Sequence, residues 1–231
     1  MFQAIYDSPW HSPAAFWAAA VAFLAWWMRR KPFLVAFVAL FTVEILADAL
    51  ASGGWSPLTL LRSPWASPVS IGFVILGDFR YFLLVERHAP RAGAAGAAPG
   101  DVTPKAAWAA AVALALIVPV ASALATRVLP PRLADVRWTF LVYEVMFVGL
   151  SLALRFAWLP RRLGPAPAAV RTWLLRVTGF EIAQYGLWAL ADVIILAGAD
   201  AGFALRLLPN AMYYALFLPF VALTAPPEVD G

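Results

Sequence analysis

Residues 68–86 have the sequence PVSIGFVILGDFRYFLLVE, an apolar run that carries Asp78 and Arg80 near its middle. A membrane-spanning helix needs about 20 mainly apolar residues, and this run has the required length. A charged side chain at that depth costs about 2.5–3.5 kcal/mol on insertion scales, so it persists where it has a partner or a task. The segment therefore predicts a membrane helix and also the place to look for function.

The rest of the chain has the same character. Of its 231 residues 63% are hydrophobic and 13% are charged, and the mean hydropathy is +0.79. A soluble domain averages about 45–50% apolar and about 25% charged residues. The composition predicts an all-α, polytopic membrane protein that forms one transmembrane domain over residues 1–231, with the lipid bilayer as its main partner.

Seven segments meet the length requirement for membrane spans. The predicted spans are 14–29, 33–51, 68–86, 106–126, 138–159, 172–197 and 207–224. Pro119 lies inside the fourth span and should kink it, because proline removes one helical hydrogen bond. Pro209 lies near the start of the seventh and is interpreted as a first-turn proline.

The basic residues predict the orientation of these spans, because Lys and Arg are enriched in cytoplasmic connections. With the N-terminus outside, the inner side receives the larger set: Arg29, Arg30, Lys31, Arg87, Arg91, Lys105, Arg155, Arg161, Arg162, Arg171 and Arg176. The outer side receives Arg62, Arg127, Arg132, Arg137 and Arg206. We therefore expect the N-terminus outside and a multi-pass location in a cell membrane, with a bacterial inner membrane as the composition-based expectation.

Two connections differ from the others. Residues 87–104 are rich in Gly, Ala and Pro and predict a flexible cytoplasmic linker. The outer segment 52–67 contains Trp55 and Trp65, and either lies in the membrane interface or acts as an external lid.

Similar polar positions recur in the two halves of the chain. ILGDFRYFLLV in the third span aligns with LLPNAMYYALFL in the seventh, so that Asp78 matches Asn210. TVEILADAL in the second span aligns with GFEIAQYGL in the sixth, so that Glu44 matches Glu181. The pattern predicts parallel three-helix units, 1–86 and 137–225, joined by a linker helix over 105–129, an arrangement found in transporters with the binding site at the repeat interface.

This 3 + 1 + 3 plan, the outward N-terminus and the Pro209-Asn210 pair in the last span resemble the SWEET and PQ-loop superfamily of seven-helix proteins. The resemblance implies transport of a small solute. It also implies that Asn210 faces its counterpart in the third span, where this chain has Asp78.

The acidic residues inside the spans are the strongest functional lead. Counted from the span ends at about 1.5 Å per residue, Glu44, Asp78 and Glu181 lie near the middle of the bilayer, and Glu144 lies closer to the outer side. With all four ionised and Arg80 charged, the interior would be strongly negative, so these carboxyl groups must bind protons or a cation must enter. The candidate binding residues are Glu44, Asp78, Arg80, Glu144, Glu181, Gln184, Tyr185, Trp188, Asn210 and Tyr214.

Three interpretations of these residues remain open. They could line a water-filled cavity that binds or transports a small polar or cationic solute, with coupling to protons or cations. They could hold the helices together by hydrogen bonds, in a structural subunit or a seven-helix receptor. They could also serve an intramembrane enzyme that uses carboxyl groups as general acid and base.

Several classes of chemistry lack their residues, which makes an enzyme the less favoured interpretation. The chain has no cysteine, and its two histidines, His11 and His88, fall on opposite sides of the membrane, so no catalytic residue, metal site or cofactor is predicted. Lys31 and Lys105 lie at helix ends, where no retinal Schiff base can form. Basic residues beside apolar runs anchor spans, so nucleic acid is not expected as a partner, while a homo-oligomer is left open.

Overall fold

The computed structural model describes residues 1–8, 14–29, 32–52, 56, 64–89, 104–128, 130 and 136–230. Their regular structure is helical, and these residues include no strand, so the all-α prediction is confirmed for this part of the chain. Most of the predicted linker 87–104 and most of the outer segment 52–67 lie outside the described residues, as does His11.

Long apolar helices dominate the described residues. In chain order they are α1 (Phe2–Tyr6), α2 (Ala14–Arg29), α3 (Pro32–Ser52), α4 (Ala66–His88), α5 (Pro104–Ala115), α6 (Ile117–Thr126), α7 (Val136–Ala153), α8 (Leu159–Arg162), α9 (Ala168–Leu196), α10 (Ala201–Ala211) and α11 (Phe217–Thr224). A π-helical turn at Leu154–Trp158 joins α7 to α8, and a second at Met212–Leu216 joins α10 to α11.

Six stretches of the described chain are long and apolar enough to cross a membrane, which identifies a multi-pass membrane protein. These spans are Pro32–Ala51, Pro68–His88, Lys105–Arg127, Arg137–Arg162, Ala168–Leu196 and Ala201–Thr224. The predicted first span is also helical, with the predicted bounds, but α2 has only 16 residues. At about 1.5 Å per residue it is about 24 Å long, against a hydrocarbon core of about 30 Å, so its crossing stays a prediction.

Pro119 and Pro209 each lie inside a predicted span that is not one continuous α-helix. The predicted fourth span, 106–126, is interrupted at Leu116, three residues before Pro119. This agrees with the predicted kink, because proline lacks the N–H that a continuous helix needs. The first-turn interpretation of Pro209 is wrong: the last helix begins at Ala201, so Pro209 lies inside it and the π-helical turn follows. The last helix begins six residues before the predicted residue 207. The prediction assigns Arg206 to a connection, whereas Arg206 is a buried residue of the helix.

Two compact units make up the described chain. The first contains Met1–Gly77 and Leu190–Thr224, and the second contains Asp78–Ala189 and Ala225–Val229. Helices α4 and α9 therefore contribute residues to both units. The predicted repeat, 1–86 and 137–225, stays a prediction.

In the first unit, α2 packs against α3, against α11 and against the Met212–Leu216 turn. Tyr213 in that turn lies directly on Gly77 of α4, where an added Cβ would come within 2.4 Å of its hydroxyl oxygen. The Tyr213 hydroxyl donates a hydrogen bond to the Phe73 carbonyl oxygen at 3.1 Å. A glycine at position 77 is therefore what allows this contact.

A tight hairpin joins α9 to α10 in the same unit. Gly198 has φ of 84°, a left-handed conformation that favours glycine. A Cβ at Gly202 would lie 2.7 Å from the Ala191 carbonyl oxygen, so the two helices approach closely just beyond the turn. Asp192 and Arg206, each a short distance from the turn, consequently come into contact.

The core of the second unit is the C-terminal half of α4. No residue from Asp78 to Glu86 is more than 5% exposed, so this part of the helix is enclosed by protein on every side. A helix that is buried all round can carry polar residues on any face, provided that neighbouring helices supply partners. Helices α7 and α9 supply them, as the hydrogen bonds below show.

Candidate functional site

A polar group surrounds Asp78 inside the second unit. We name it the Asp78 group and define it as Asp78 and Arg80 of α4, Tyr143 of α7, and Glu181, Gln184 and Tyr185 of α9. The residues on α9 are spaced three and four apart and so lie on one helix face. All six side chains are buried; Tyr143, at 9%, is the most exposed.

Two tyrosine hydroxyls hold the Asp78 carboxyl group. Tyr143 donates a hydrogen bond to one carboxyl oxygen, and Tyr185 donates one to the other. The two donors come from different helices, so Asp78 links α4 to both α7 and α9. Hydroxyl donors orient a carboxylate without neutralising its charge.

Arg80 supplies the positive charge of this group. It is 1% exposed, and its guanidinium acts electrostatically on both Asp78 and Glu181. Glu181 is itself 2% exposed. One cation is thus shared between two carboxyl groups, and the buried Glu144 of α7 adds a third acid to the same unit.

Some buried polar atoms near these charges have no protein partner within the described chain. They are Oε1 of Glu181 and both amide atoms of Gln184, whose side chain is 1% exposed. Leaving a polar group buried and unpaired costs about 1–3 kcal/mol. Three such atoms lie within one helical turn of α9.

Aromatic rings form one wall of the group. Tyr185 stacks on Phe147 with ring centroids 3.9 Å apart, and Trp188 meets the Tyr185 ring edge-on at 5.1 Å. These contacts fix the Tyr185 ring and hence its hydroxyl. On the same two helices as Asp78 and Tyr185, the Tyr81 hydroxyl of α4 donates a hydrogen bond to the Thr178 hydroxyl of α9 at 3.1 Å.

A second polar group lies in the first unit. Glu44 and Asp48, four residues apart on α3, are 8% and 5% exposed. The Tyr214 hydroxyl is hydrogen bonded to the Asp48 carboxyl group, and Glu44 and Tyr6 lie within electrostatic range of it. Asn210 is half-buried one turn earlier on α10.

The same unit contains a buried ion pair. The Arg206 guanidinium is paired with the Asp192 carboxylate across the α9–α10 hairpin. Its Nε atom donates a further hydrogen bond to the Tyr6 hydroxyl at 3.1 Å. These contacts join the last span to the preceding helix and to α1.

Asp200 attaches α1 at the surface. Its carboxylate accepts hydrogen bonds from the Met1 ammonium group and from the backbone N–H groups of Phe2 and Gln3, all at 2.8–2.9 Å. The ammonium group, followed by those two N–H donors, lowers the pKa of Asp200 from 3.8 to about 2. Asp200 lies between two spans and is well exposed, so water and salt screen this contact.

The structure divides the predicted site residues between the two units. Asp78, Arg80, Glu144, Glu181, Gln184, Tyr185 and Trp188 belong to the second, and Glu44, Asn210 and Tyr214 belong to the first. Among the described residues, no group of three or more His, Asp or Glu side chains is arranged to hold a metal ion.

Sequence reasoning missed three of the contacts. Tyr143 was not singled out, although it lies one residue before Glu144 on an apolar span. The Asp192–Arg206 pair could have been found from the equal distance of both residues from the hairpin turn. The third contact, between Glu86 and Arg162, joins two charges at span ends that had been assigned to the same inner side.

No protein-family model, no curated protein and no solved structure matches this chain. Function therefore has to be inferred from the chemistry of these residues.

Proposed function

We propose that this membrane protein binds, and moves across the bilayer, a small polar or cationic solute that occupies the Asp78 group. The unpaired Glu181 and Gln184 atoms carry this proposal. A carboxylate oxygen accepts a hydrogen bond, and a primary amide both donates and accepts, so the two side chains together suit a solute with hydroxyl, amide or ammonium groups. The stacked Tyr185 ring would cover its apolar part.

Charge supports coupling to protons or to a cation. The second unit buries Asp78, Glu144 and Glu181, and the buried Arg80 is the cation that acts on both Asp78 and Glu181. Ionised acids in excess of their counter-ions are unstable in a low dielectric, so protons or a cationic solute would balance them. Intramembrane carboxyl groups serve proton and ion pathways in pumps and transporters.

The absence of cysteine from the chain permits a direct test by single-thiol substitution. Gln184→Cys and Glu181→Cys variants in sealed vesicles are treated with a small, water-soluble, cationic methanethiosulfonate. We expect both thiols to react, and to react more slowly when a solute that binds is present. Leu84→Cys, a fully buried core position of the same unit, serves as the unreactive control, and Arg161→Cys at an exposed position serves as the reactive control.

The result that would overturn the proposal is a thiol at 184 or 181 that stays as unreactive as the one at 84. Transport itself is tested with Glu181→Gln in vesicles, where solute-dependent proton movement should stop. Glu228→Gln, at an exposed glutamate, should leave it unchanged.

The Tyr143 and Tyr185 bonds favour one second candidate, in which the Asp78 group only holds α4, α7 and α9 together. Under this alternative, Asp78→Asn lowers the thermal unfolding temperature, and no solute changes that temperature in either protein. Under the transport proposal, a bound solute raises the unfolding temperature of the wild type.

We further propose that α2 completes a seventh crossing, with the N-terminus outside, as the SWEET-like plan implies. Its packing against α3 and α11, two apolar helices, supports a position within the membrane. A Gln3→Cys thiol should then react with an impermeant reagent added outside intact cells. Labelling only in disrupted cells would show that the N-terminus is inside, which would contradict the proposed orientation.

A further inference from the structure

The segment between Glu144 and Glu181 contains five arginines and no acidic residue. Two of these arginines are used inside the protein. Arg162 pairs with Glu86 and lies over the Trp158 ring at 4.4 Å, and Arg155 donates to the Leu175 carbonyl oxygen. Both are fixed against the helices that they join.

The other three are Arg161, Arg171 and Arg176, which we name the arginine surface. All three are exposed, and none of their side chains has a hydrogen bond or an ion pair to another described residue. Exposed guanidinium groups stay charged at physiological pH and attract anions. The described protein supplies no such anion to them.

Two residues of the arginine surface lie where membrane spans end, and Arg176 lies further along the second of these spans. Arg161 belongs to the last turn of the span Arg137–Arg162, and Arg171 belongs to the first turn of the span Ala168–Leu196. Just before Arg161, the same span exposes apolar side chains, with Phe156 at 72% and Leu152 at 39%. The protein thus presents an apolar face and then positive charge, in the order in which a lipid presents its acyl chain and its phosphate.

From this placement we infer that the arginine surface binds the headgroup phosphates of anionic membrane lipids. Guanidinium groups bind phosphate through paired N–H donors, which gives more specificity than a point charge. The adjoining Phe156 and Leu152 contact the acyl chain, which a free phosphate ion does not have. The inference concerns a different surface from the Asp78 group and does not depend on transport.

The test measures lipid binding to the full chain in detergent by native mass spectrometry. The probes are phosphatidylglycerol and phosphatidylcholine with identical acyl chains. We expect phosphatidylglycerol to bind more tightly to the wild type. A direct ion pair with the bound phosphate contributes up to about fivefold at an exposed site, so the double variant Arg161→Gln/Arg171→Gln should lose affinity up to about 25-fold.

The matched control is Lys105→Gln/Arg127→Gln, which removes the same charge from two other exposed positions near span ends. Its affinity should change less than threefold. Equal binding of the two lipids, or an equal loss in both double variants, would overturn the inference. Displacement of phosphatidylglycerol by millimolar inorganic phosphate would also overturn it, because the site would then serve a soluble anion. Unchanged thermal unfolding of both variants verifies that they fold.

Discussion

Two buried aspartates, Asp78 in the second unit and Asp192 in the first, are treated in opposite ways by the residues around them. Both are at most 1% exposed. Asp192 faces the guanidinium of Arg206, which neutralises it directly. Asp78 accepts hydrogen bonds from two tyrosine hydroxyls. The charge of Arg80 also acts on it, but acts on Glu181 as well.

The two aspartates differ in how their charge is balanced. The charge of Asp192 is balanced by a neighbour fourteen residues along the chain, so no other cation is needed there. The Asp78 group keeps more acids than bases and has unpaired atoms on Gln184 and Glu181. Charge balance, rather than burial, therefore distinguishes the surroundings of the two aspartates.

The largest effect on stability is expected when Asp192 loses its partner. Arg206→Leu leaves a buried carboxylate unpaired and should lower the free energy of unfolding in detergent by about 3–5 kcal/mol. Chemical unfolding followed by circular dichroism measures this change. Arg206→Leu/Asp192→Leu should recover most of it, because no lone charge remains. A single variant as stable as the wild type would show that Asp192 does not need Arg206.

A smaller effect is expected in the second unit. Tyr185→Phe removes one of two neutral donors to Asp78, and interhelical hydrogen bonds in membrane proteins average about 0.6 kcal/mol, with a maximum of about 1.7 kcal/mol. The same unfolding measurement applies. Tyr81→Phe, which breaks the bond to Thr178, is the matched control for a tyrosine away from Asp78.

The two tyrosines are compared further in the Asp78→Asn background. There the Tyr185→Phe effect should shrink, and the Tyr81→Phe effect should not. If Tyr185→Phe costs as much as Arg206→Leu, the contrast between the two aspartates fails.

The smallest effect concerns Asp200, an exposed acid that contrasts with both buried ones. Its pKa is lowered to about 2 from 3.8, so its contribution is fully present above about pH 4 and is lost as the pH falls through about 2. Hydrogen exchange of the Phe2 and Gln3 amides should quicken, relative to intrinsic rates, over that window. In Asp200→Asn the protection should be weaker and independent of pH, and an unchanged profile would exclude Asp200 as the anchor of α1.

Most of the fold could be predicted from hydrophobic run length. The bounds 14–29 agree with α2, and 33–51 and 68–86 agree with α3 and α4 within two residues. The last helix was placed six residues late, because Arg206 and Pro209 both resemble span ends when they are considered alone. Arg206 can be buried because it pairs with Asp192 across the hairpin, and Pro209 can lie inside the helix because a π-helical turn follows it. Local composition shows neither feature.

The candidate site was only partly predictable. Depth and spacing identified Asp78, Arg80, Glu181, Gln184 and Tyr185, because charged and polar residues inside apolar helices are rare. They could not identify which donors meet Asp78, since that depends on how α7 and α9 rotate about their axes. Tyrosines on an apolar span give little signal of their own, because most of their surface is hydrophobic.

The π-helical turn at Met212–Leu216 has a consequence for how the last span can vary in sequence. An α-helix turns about 100° per residue, so one additional residue in a turn sets the two ends of a span out of phase by that angle. Deleting Ala215 would remove that additional residue and give an uninterrupted α-helix in which Phe217 and Val221, both fully buried, keep their packed side. A one-residue deletion at this point is therefore absorbed by loss of the π-helical turn, and a strictly 3.6-residue apolar pattern would suit only one end of the helix that contains the turn.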